Sequence, residues 1–399
     1  MKKFDALIIG AGPAGATAAL LLAKAGWSVV LVEKSAFPRR KVCGEYLSPT
    51  NFGLLDRLGV FERVLEHAGP EIRTIELLWK STLITAKMPI PSEKTARWGK
   101  AVRREILDTL MVDQAKKIGV TVWQPFSVTE TRKSGSVFVS KAVSKNTGEV
   151  LEIESPVVIA AHGSWGIGEL PTQQRRQPAL GSDLLAFKTY LENAHLPADV
   201  MNMLVIPGGY AGMVNCDSGL LSFSCCIRRD HLDELRRRAP NEKAGAVVYE
   251  HVVQSCPGLK SVVNNSQQNG DWIAAGPMRP GIRLPYNDGL FTVGNAAGEA
   301  HPTIADGISM AMQSAWLLSN ALTKRPPSAL TQSDLDQIGR EFSRDWLKAF
   351  RLRIRAAEVF ARLCLRKETH RLLLPLIKTF PQILTLGARL GGIADEVVE

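Results

Sequence analysis

Leu7-Ile8-Ile9-Gly10-Ala11-Gly12-Pro13-Ala14-Gly15 decides the fold of this chain. Asp5–Ile9 reads as a short buried strand, and Ala14–Ala25 as an Ala/Leu-rich helix that stops at Gly26. Valine-rich Ser28–Glu33 reads as a second strand. Strand, glycine turn, helix and strand in that order make a βαβ unit, which predicts a parallel sheet. In such a turn Gly10 permits the sharp bend, Gly12 lets backbone approach a pyrophosphate, and Gly15 lets the helix lie close on the sheet. The helix that starts at Pro13 offers the free N–H groups of Ala14 and the residues after it, and a positive dipole end, to phosphates. Glu33, with Lys34 beside it, ends the second strand where a carboxylate accepts the hydroxyls of an adenosine ribose. Gly10, Gly12, Pro13, Ala14, Gly15, Glu33 and Lys34 are therefore candidate dinucleotide contacts.

The chain has 399 residues, 45% of them apolar and 22% charged, which suits a globular protein of two or three packed units. Its six cysteines form no C-x-x-C pair, so no zinc site or disulfide framework is expected, and a reducing cytoplasm is the expected compartment. Met1-Lys2-Lys3 followed by apolar residues imitates a signal peptide, but Asp5 and the turn at Gly10 interrupt it. The net charge is +10, and residues 341–380 hold ten Lys/Arg against four Asp/Glu, a local net of +6. Two readings stand for that stretch: a solvated helical face, or a peripheral contact with an anionic membrane surface. No nucleic-acid module accompanies the charge, so a nucleic-acid partner is not expected.

Further along, Phe52–Leu65 and Glu105–Ile118 are predicted helices, and Glu71–Trp79, Leu83–Met88, Val120–Trp123, Val137–Val143, Val150–Ile153 and Val157–Ala161 predicted strands. Ala186–Leu191, Tyr210–Val214 and Leu220–Ile227 are the clearest strands of a second region, with helices over His231–Arg238 and Glu242–Ser255. Leu290–Val293 returns to a buried strand, Asp306–Leu322 is helical, and the pattern stays helical from Gln332, broken at Pro375 and Pro381. The expected architecture is α/β. A discontinuous Rossmann-type nucleotide domain spans 1–70, 98–168 and 286–325, a mixed β-sheet substrate domain spans 71–97 and 169–285, and 326–399 form a C-terminal helical region.

A second glycine cluster, Gly294-Asn295-Ala296-Ala297-Gly298, follows the strand at Leu290–Val293, with Pro302 and Gly307-Ile308 beyond it. With the first motif it resembles the FAD-dependent group of aromatic hydroxylases, flavin halogenases and geranylgeranyl reductases, whose pattern is Gly-Asp-Ala-Ala-Gly, a proline, a glycine and a helix. That resemblance implies FAD, in a glutathione-reductase-like Rossmann fold. Asn295 stands where the group's aspartate bonds the ribityl chain, and the helix beginning at Gly307 and Ile308 would aim its positive end at the flavin pyrimidine ring. Arg104-Glu105-Ile106-Leu107-Asp108 is similar to the R-x-x-x-D helix start whose arginine contacts FAD. Val128 falls where the group touches adenine, and Ala161-His162-Gly163 replaces its Ala-Asp-Gly.

Phe37-Pro38-Arg39-Arg40-Lys41-Val42-Cys43-Gly44-Glu45 resembles the F-P-R-x-K-x-C-G loop of the geranylgeranyl-reductase branch, which sets Cys43 and Gly44 near the flavin ring and Arg39 and Lys41 near the cofactor. Cys43 reads either as a small packed residue or as a redox-active thiol, and Glu45 either as a proton donor or base or as a surface charge. His301 is a third catalytic candidate, against a purely structural hydrogen bond. Pro207–Met213 is loosely similar to a P-x-x-Y-x-W-x-F-P substrate segment, making Tyr210 and Gly212 substrate candidates; glycine in place of tryptophan leaves room for a bulkier ring. Halogenases of the group carry W-x-W-x-I-P, and no two of the eight tryptophans are so spaced, which disfavours halogenation. No second dinucleotide fingerprint is present, so either NADPH or NADH is a transient donor or electrons come from a separate carrier. The leading expectation is a flavin monooxygenase acting on a large apolar or aromatic biosynthetic intermediate. A reductase that saturates a C=C bond is the alternative, and a non-catalytic flavoprotein bound to a membrane or partner the third reading.

Overall fold

Four short segments with no exposed residue, Ala6–Ile9, Val29–Val32, Val157–Ala160 and Leu290–Thr292, have the composition that a sheet covered on both faces requires. In the computed structural model, which describes residues 1–90, 97–164, 166, 168–173, 175, 177–365 and 374–389, they form such a sheet. Its order is Tyr286–Asn287, Leu290–Thr292, Val157–Ala160, Ala6–Ile9, Val29–Val32, Thr121–Trp123, parallel throughout except for the first strand. The side chains alternate as a pleat demands. Ala6, Ile8, Val29, Leu31, Val157 and Ile159 meet the helices Pro13–Lys24, Arg104–Lys117 and Gly307–Leu322. Leu7, Ile9, Val30, Val32 and Val158 meet Val128, Phe138, Ala142 and Ile153 of an antiparallel layer made from Phe126–Ser134, Val137–Ser144 and Val150–Ser155.

A seven-stranded sheet forms the second large layer. It runs Gln267–Met278, Leu184–Glu192, Leu221–Arg228, Gly209–Asn215, Val200–Ile206, Thr74–Trp79, Thr82–Lys87. All its pairs are antiparallel except that between Val200–Ile206 and Thr74–Trp79. Phe187, Leu191, Ala211, Met213, Phe223 and Ile227 point to one face, under helices Arg229–Arg238 and Ala244–Ser255. The intervening Lys188, Tyr190 and Tyr210 bond to Glu45 and His301, which lie outside this sheet.

Several boundaries differ from the sequence reading. Phe52–Leu65 is two helices, Phe52–Leu58 and Phe61–Glu66, because Gly59 turns left-handed at φ +78°. Glu71–Trp79 is also divided: Ala68–Glu71 joins a small sheet with Tyr46–Leu47 and Lys100–Val102, so a domain limit at 70/71 cuts a strand. Gln267–Met278 has the Asn, Gly, Asp and Pro of a loop yet pairs along Leu184–Glu192, a case of tertiary pairing overriding local propensity.

The long helix Gln332–Leu365 is part of the nucleotide-side core: Leu335, Phe342, Trp346, Phe350 and Ile354 belong to the same cluster as the parallel sheet. Arg344, Lys348, Arg351 and Arg355 lie exposed on its outer face. Residues 366–373 and 390–399 of the predicted helical tail lie outside the described residues. Among the described residues, no helix is long and apolar enough to cross a membrane.

Trp346 is 1% exposed, and its indole N–H donates to Ser314 Oγ at 3.0 Å. Trp346→Ala should lower unfolding stability by roughly 3–5 kcal/mol, read from urea denaturation. A loss below about 1 kcal/mol would show that the C-terminal helix is not integral to this core.

Candidate active site

The glycine turn is tight enough to dictate its residues. Gly10 lies at φ +104°, and a Cβ on Gly15 would sit 1.8 Å from the Gly10 carbonyl oxygen. Helix Pro13–Lys24 starts immediately after Gly12 with no side-chain cap, which leaves its first N–H groups for a ligand. Glu33 is buried, and its carboxylate accepts the Ala11 N–H at 2.9 Å and the Ser35 N–H at 3.0 Å. Each oxygen keeps a second lone pair.

Positive charge collects beside this turn. Arg104 forks onto Asp108 at 2.9 and 2.8 Å, while Arg39 lies 3.5 Å from both Asp108 and Glu33. Both guanidinium groups stand within 4 Å of where a Cβ on Gly12 would be. Lys34 and Lys41 line the same cavity. Burial, then Arg39, Arg104 and Lys34, push the Lys41 ammonium down to about 8, against the pull of Glu33. The Nε and Nη1 atoms of Arg39 are buried with no hydrogen-bond partner among the described residues. Cations that repel one another, one of them incompletely bonded, around a helix N-terminus fit the pyrophosphate of a dinucleotide.

The second glycine cluster stands at the other end. Gly294–Ala296 form a single 3-10 turn, and Asn295 donates its amide to Glu299 at 3.0 Å while its backbone carbonyl accepts from Arg283 at 2.9 Å. That amide bond leaves the Asn295 side-chain oxygen as the acceptor. Asp306 precedes helix Gly307–Leu322 and is held by Arg353 at 3.4 Å. His162, in place of the aspartate, lies between the Gly163 carbonyl and Thr172 Oγ1, and burial lowers its pKa.

One cavity of about 580 Å³ joins these pieces. Gly10, Gly12, Pro13, Ala14, Glu33, Lys34, Arg39, Lys41, Cys43, Gly44, Arg104, Val128, Ala161, Gly163, Asn295, Pro302, Gly307 and Ile308 line it, as do Glu45, His301, Tyr210 and Gly212. Gly15 and Gly294 lie behind the lining: the first sits under Gly10, and a Cβ on the second would meet Ala14 at 2.9 Å. The cavity continues over the seven-stranded sheet to Ile75, Met201, Met203 and Met278.

The three catalytic candidates differ in their surroundings. Glu45 is not a surface charge. It is 1% exposed, paired with Lys188 at 2.7 Å, and accepts the Tyr190 hydroxyl at 2.6 Å and the Arg104 N–H at 3.1 Å. Cys43 is half-buried and free of any disulfide; its Sγ accepts from the Glu45 N–H at 3.3 Å. His301 shares a 3.2 Å hydrogen bond with Tyr210, and burial lowers its pKa to about 4, so the ring is neutral near pH 7. Sequence reasoning missed Lys188, Tyr190 and Arg353. The alternation Ala186-Lys188-Tyr190 was the one available signal, since it puts a lysine on the inner face of a strand.

A family model described as FAD binding domain matches residues 3–332. The chain belongs to this family. Members are FAD-dependent oxidoreductases, and the residues around Gly12 and Asn295 suit that cofactor. This FAD-binding-domain chain is 26% identical over 328 residues to tryptophan 2-halogenase of Chondromyces crocatus, covering 78% of the chain and 59% of the halogenase. It is 25% identical over 331 residues to digeranylgeranylglycerophospholipid reductase 1 of Methanothermobacter thermautotrophicus, covering 79% and 76%. Among solved structures, the flavin-dependent brominase Bmp2 superposes with a TM-score of 0.76 at 20% identity over 98% of the chain and 94% of the brominase, a likeness of fold.

Two measurements check this site. Arg39→Ala should raise the FAD dissociation constant of the apoprotein about tenfold to a hundredfold in a fluorescence titration, the loss of one charge-assisted contact; an unchanged constant would remove Arg39 from the cofactor site. His301 has a folded pKa of about 4 against 6.5 when unfolded. The unfolded chain therefore binds the proton first, and stability falls as pH drops from about 6.5 toward 4, by up to roughly 3 kcal/mol. His301→Gln should flatten that slope in urea melts taken across this window, and equal slopes in both proteins would show a solvated ring.

Proposed function

We propose that the chain is a flavin monooxygenase that oxygenates a large apolar or aromatic biosynthetic intermediate. The observation that carries this reading is the condition of the ionisable groups along the cavity. Glu45 is held by Lys188 and Tyr190, and His301 is neutral beside Tyr210. Ile75, Met201, Met203 and Met278 give the far end a dry, adaptable wall. Such a wall binds an apolar body and excludes water from the reacting end. Bound FAD supplies two-electron chemistry, reduced by NADPH or NADH and re-oxidised by O₂ or by a double bond. The chain's own part is to hold the cofactor through the Gly10–Gly15 turn and its cations, and to seat the substrate against Gly212 and Tyr210. No residue need activate the substrate as a base, which suits transfer of an electrophilic oxygen.

The alternative is saturation of a C=C bond. It is favoured by the Phe37–Glu45 loop and by the Tyr210–His301 pair, which keeps a proton on a hydroxyl beside the cavity. Dithionite-reduced holoprotein, given polyketide, quinone and prenyl compounds under isotopically labelled O₂, separates the two. Products carrying one labelled oxygen support oxygenation. Products gained without O₂ and heavier by two hydrogens overturn it in favour of reduction.

Gly212 has open space beside it, with Ser224 Oγ the nearest side-chain atom at 3.9 Å from a built Cβ. Gly212→Trp should raise KM for an accepted substrate at least about tenfold and leave FAD affinity unchanged. Equal KM values would place the substrate elsewhere in the cavity.

A further inference from the structure

Lys188 is wholly buried in the middle of strand Leu184–Glu192, and no feature of the dinucleotide motif accounts for it. Its ammonium has three hydrogens and meets three acceptors: Glu45 Oε2 at 2.7 Å, the Cys43 carbonyl at 2.9 Å, and Ser222 Oγ. It also lies 4.6 Å from the centroid of the Tyr190 ring. Two of these acceptors are on the turn that lines the cofactor cavity; the third is on the neighbouring strand of the seven-stranded sheet. That turn is not self-supporting. Glu45 sits in left-handed backbone at φ +64°, where a residue with a side chain persists only if its surroundings fix it. Tyr190, the first N–H of helix Arg104–Lys117 and the Cys216 thiol also donate to its carboxylate. The same strand contributes Ala186 to the cavity wall.

We propose that Lys188 is a positioning residue: through Cys43 and Glu45 it latches the turn Cys43–Gly44–Glu45 to the substrate sheet, and so fixes the cavity wall against which FAD binds. The proposal rests on the reading that this cavity holds FAD. It makes one strand responsible both for the substrate wall and for the shape of the cofactor wall, so the two ligands are coupled through Lys188.

A merely structural ion pair predicts lost stability and nothing else, so the test needs a variant that keeps stability. Lys188→Met combined with Glu45→Gln removes both charges while keeping volume, which avoids stranding one buried charge. Urea unfolding, FAD titration of the apoprotein and hydrogen exchange at residues 43–45 are measured on it beside the wild type. The latch predicts an unfolding midpoint close to wild type, an FAD dissociation constant raised about tenfold, and faster exchange of the Glu45 amide. Exchange and FAD affinity both unchanged, in a folded double variant, overturn it. Should that variant fail to fold, Ser222→Ala decides, because it keeps the ion pair and removes the third acceptor. Exchange at Glu45 that quickens without loss of stability supports the latch, and unchanged exchange refutes it. Wild-type protein that binds no FAD sinks the cofactor reading instead, while exchange in the apoprotein still tests the latch.

Discussion

The approach of helix Pro13–Lys24 to the parallel sheet is limited by backbone alone, and the rest of the site depends on that contact. Gly15 meets the Gly10 carbonyl where no side-chain atom fits, and Gly10 meets the Ala161 carbonyl at 2.6 Å from a built Cβ, also too near for a side chain. Three passes of the chain are thereby locked together: the strand Ala6–Ile9, the helix after it, and the strand Val157–Ala160 that pairs with the first. Only in that arrangement do the uncapped end of the helix, Glu33 and the Arg39/Arg104 pair share one cavity. An alanine at Gly15 would push the helix away and disperse them.

Electrostatics then divides the cavity into two halves. At the glycine turn, cations outnumber the carboxylates that compensate them, and burial and then the neighbouring cations make the Lys41 ammonium easier to deprotonate. Toward the seven-stranded sheet the opposite holds: Glu45 and Lys188 neutralise one another, and the imidazole of His301 carries no charge. A long ligand with a polyanionic end and a less polar ring end is matched in sign along its length. The apolar remainder of the cavity lies beyond the ring end, where an organic substrate and the flavin would meet.

Legibility in the sequence followed the range of the forces involved. The Gly10–Gly15 turn and its flanking strands were readable because their constraints are local: steric freedom at glycine and burial on both faces of a strand. The Asn295 turn was readable only as a resemblance, since its geometry depends on Glu299, Arg283 and Ser314. For Glu45 the sequence leaves a buried acid or base and a surface charge equally open, because the partners that decide between them, Lys188 and Tyr190, lie in a strand far along the chain. Lys188 was not noticed at all: a single lysine in a strand is an ordinary edge or surface residue until its register is known. Gln267–Met278 likewise took its extended form from its partner strand and not from its own composition.

The parallel sheet is assembled from segments scattered along the chain, and the strand Leu290–Thr292 adds to Val157–Ala160 only after five strands of the seven-stranded sheet have been spelled out between them. On a ribosome the first βαβ unit emerges early but lacks the turn at Asn295, the support of Ser314, and the Trp346 and Arg353 side chains that brace Gly298 and Asp306. The nascent chain must therefore wait for some three hundred residues, roughly half a minute at ordinary elongation rates, before a complete cofactor berth exists. The berth, opened by the first residues to emerge, is thus closed by some of the last.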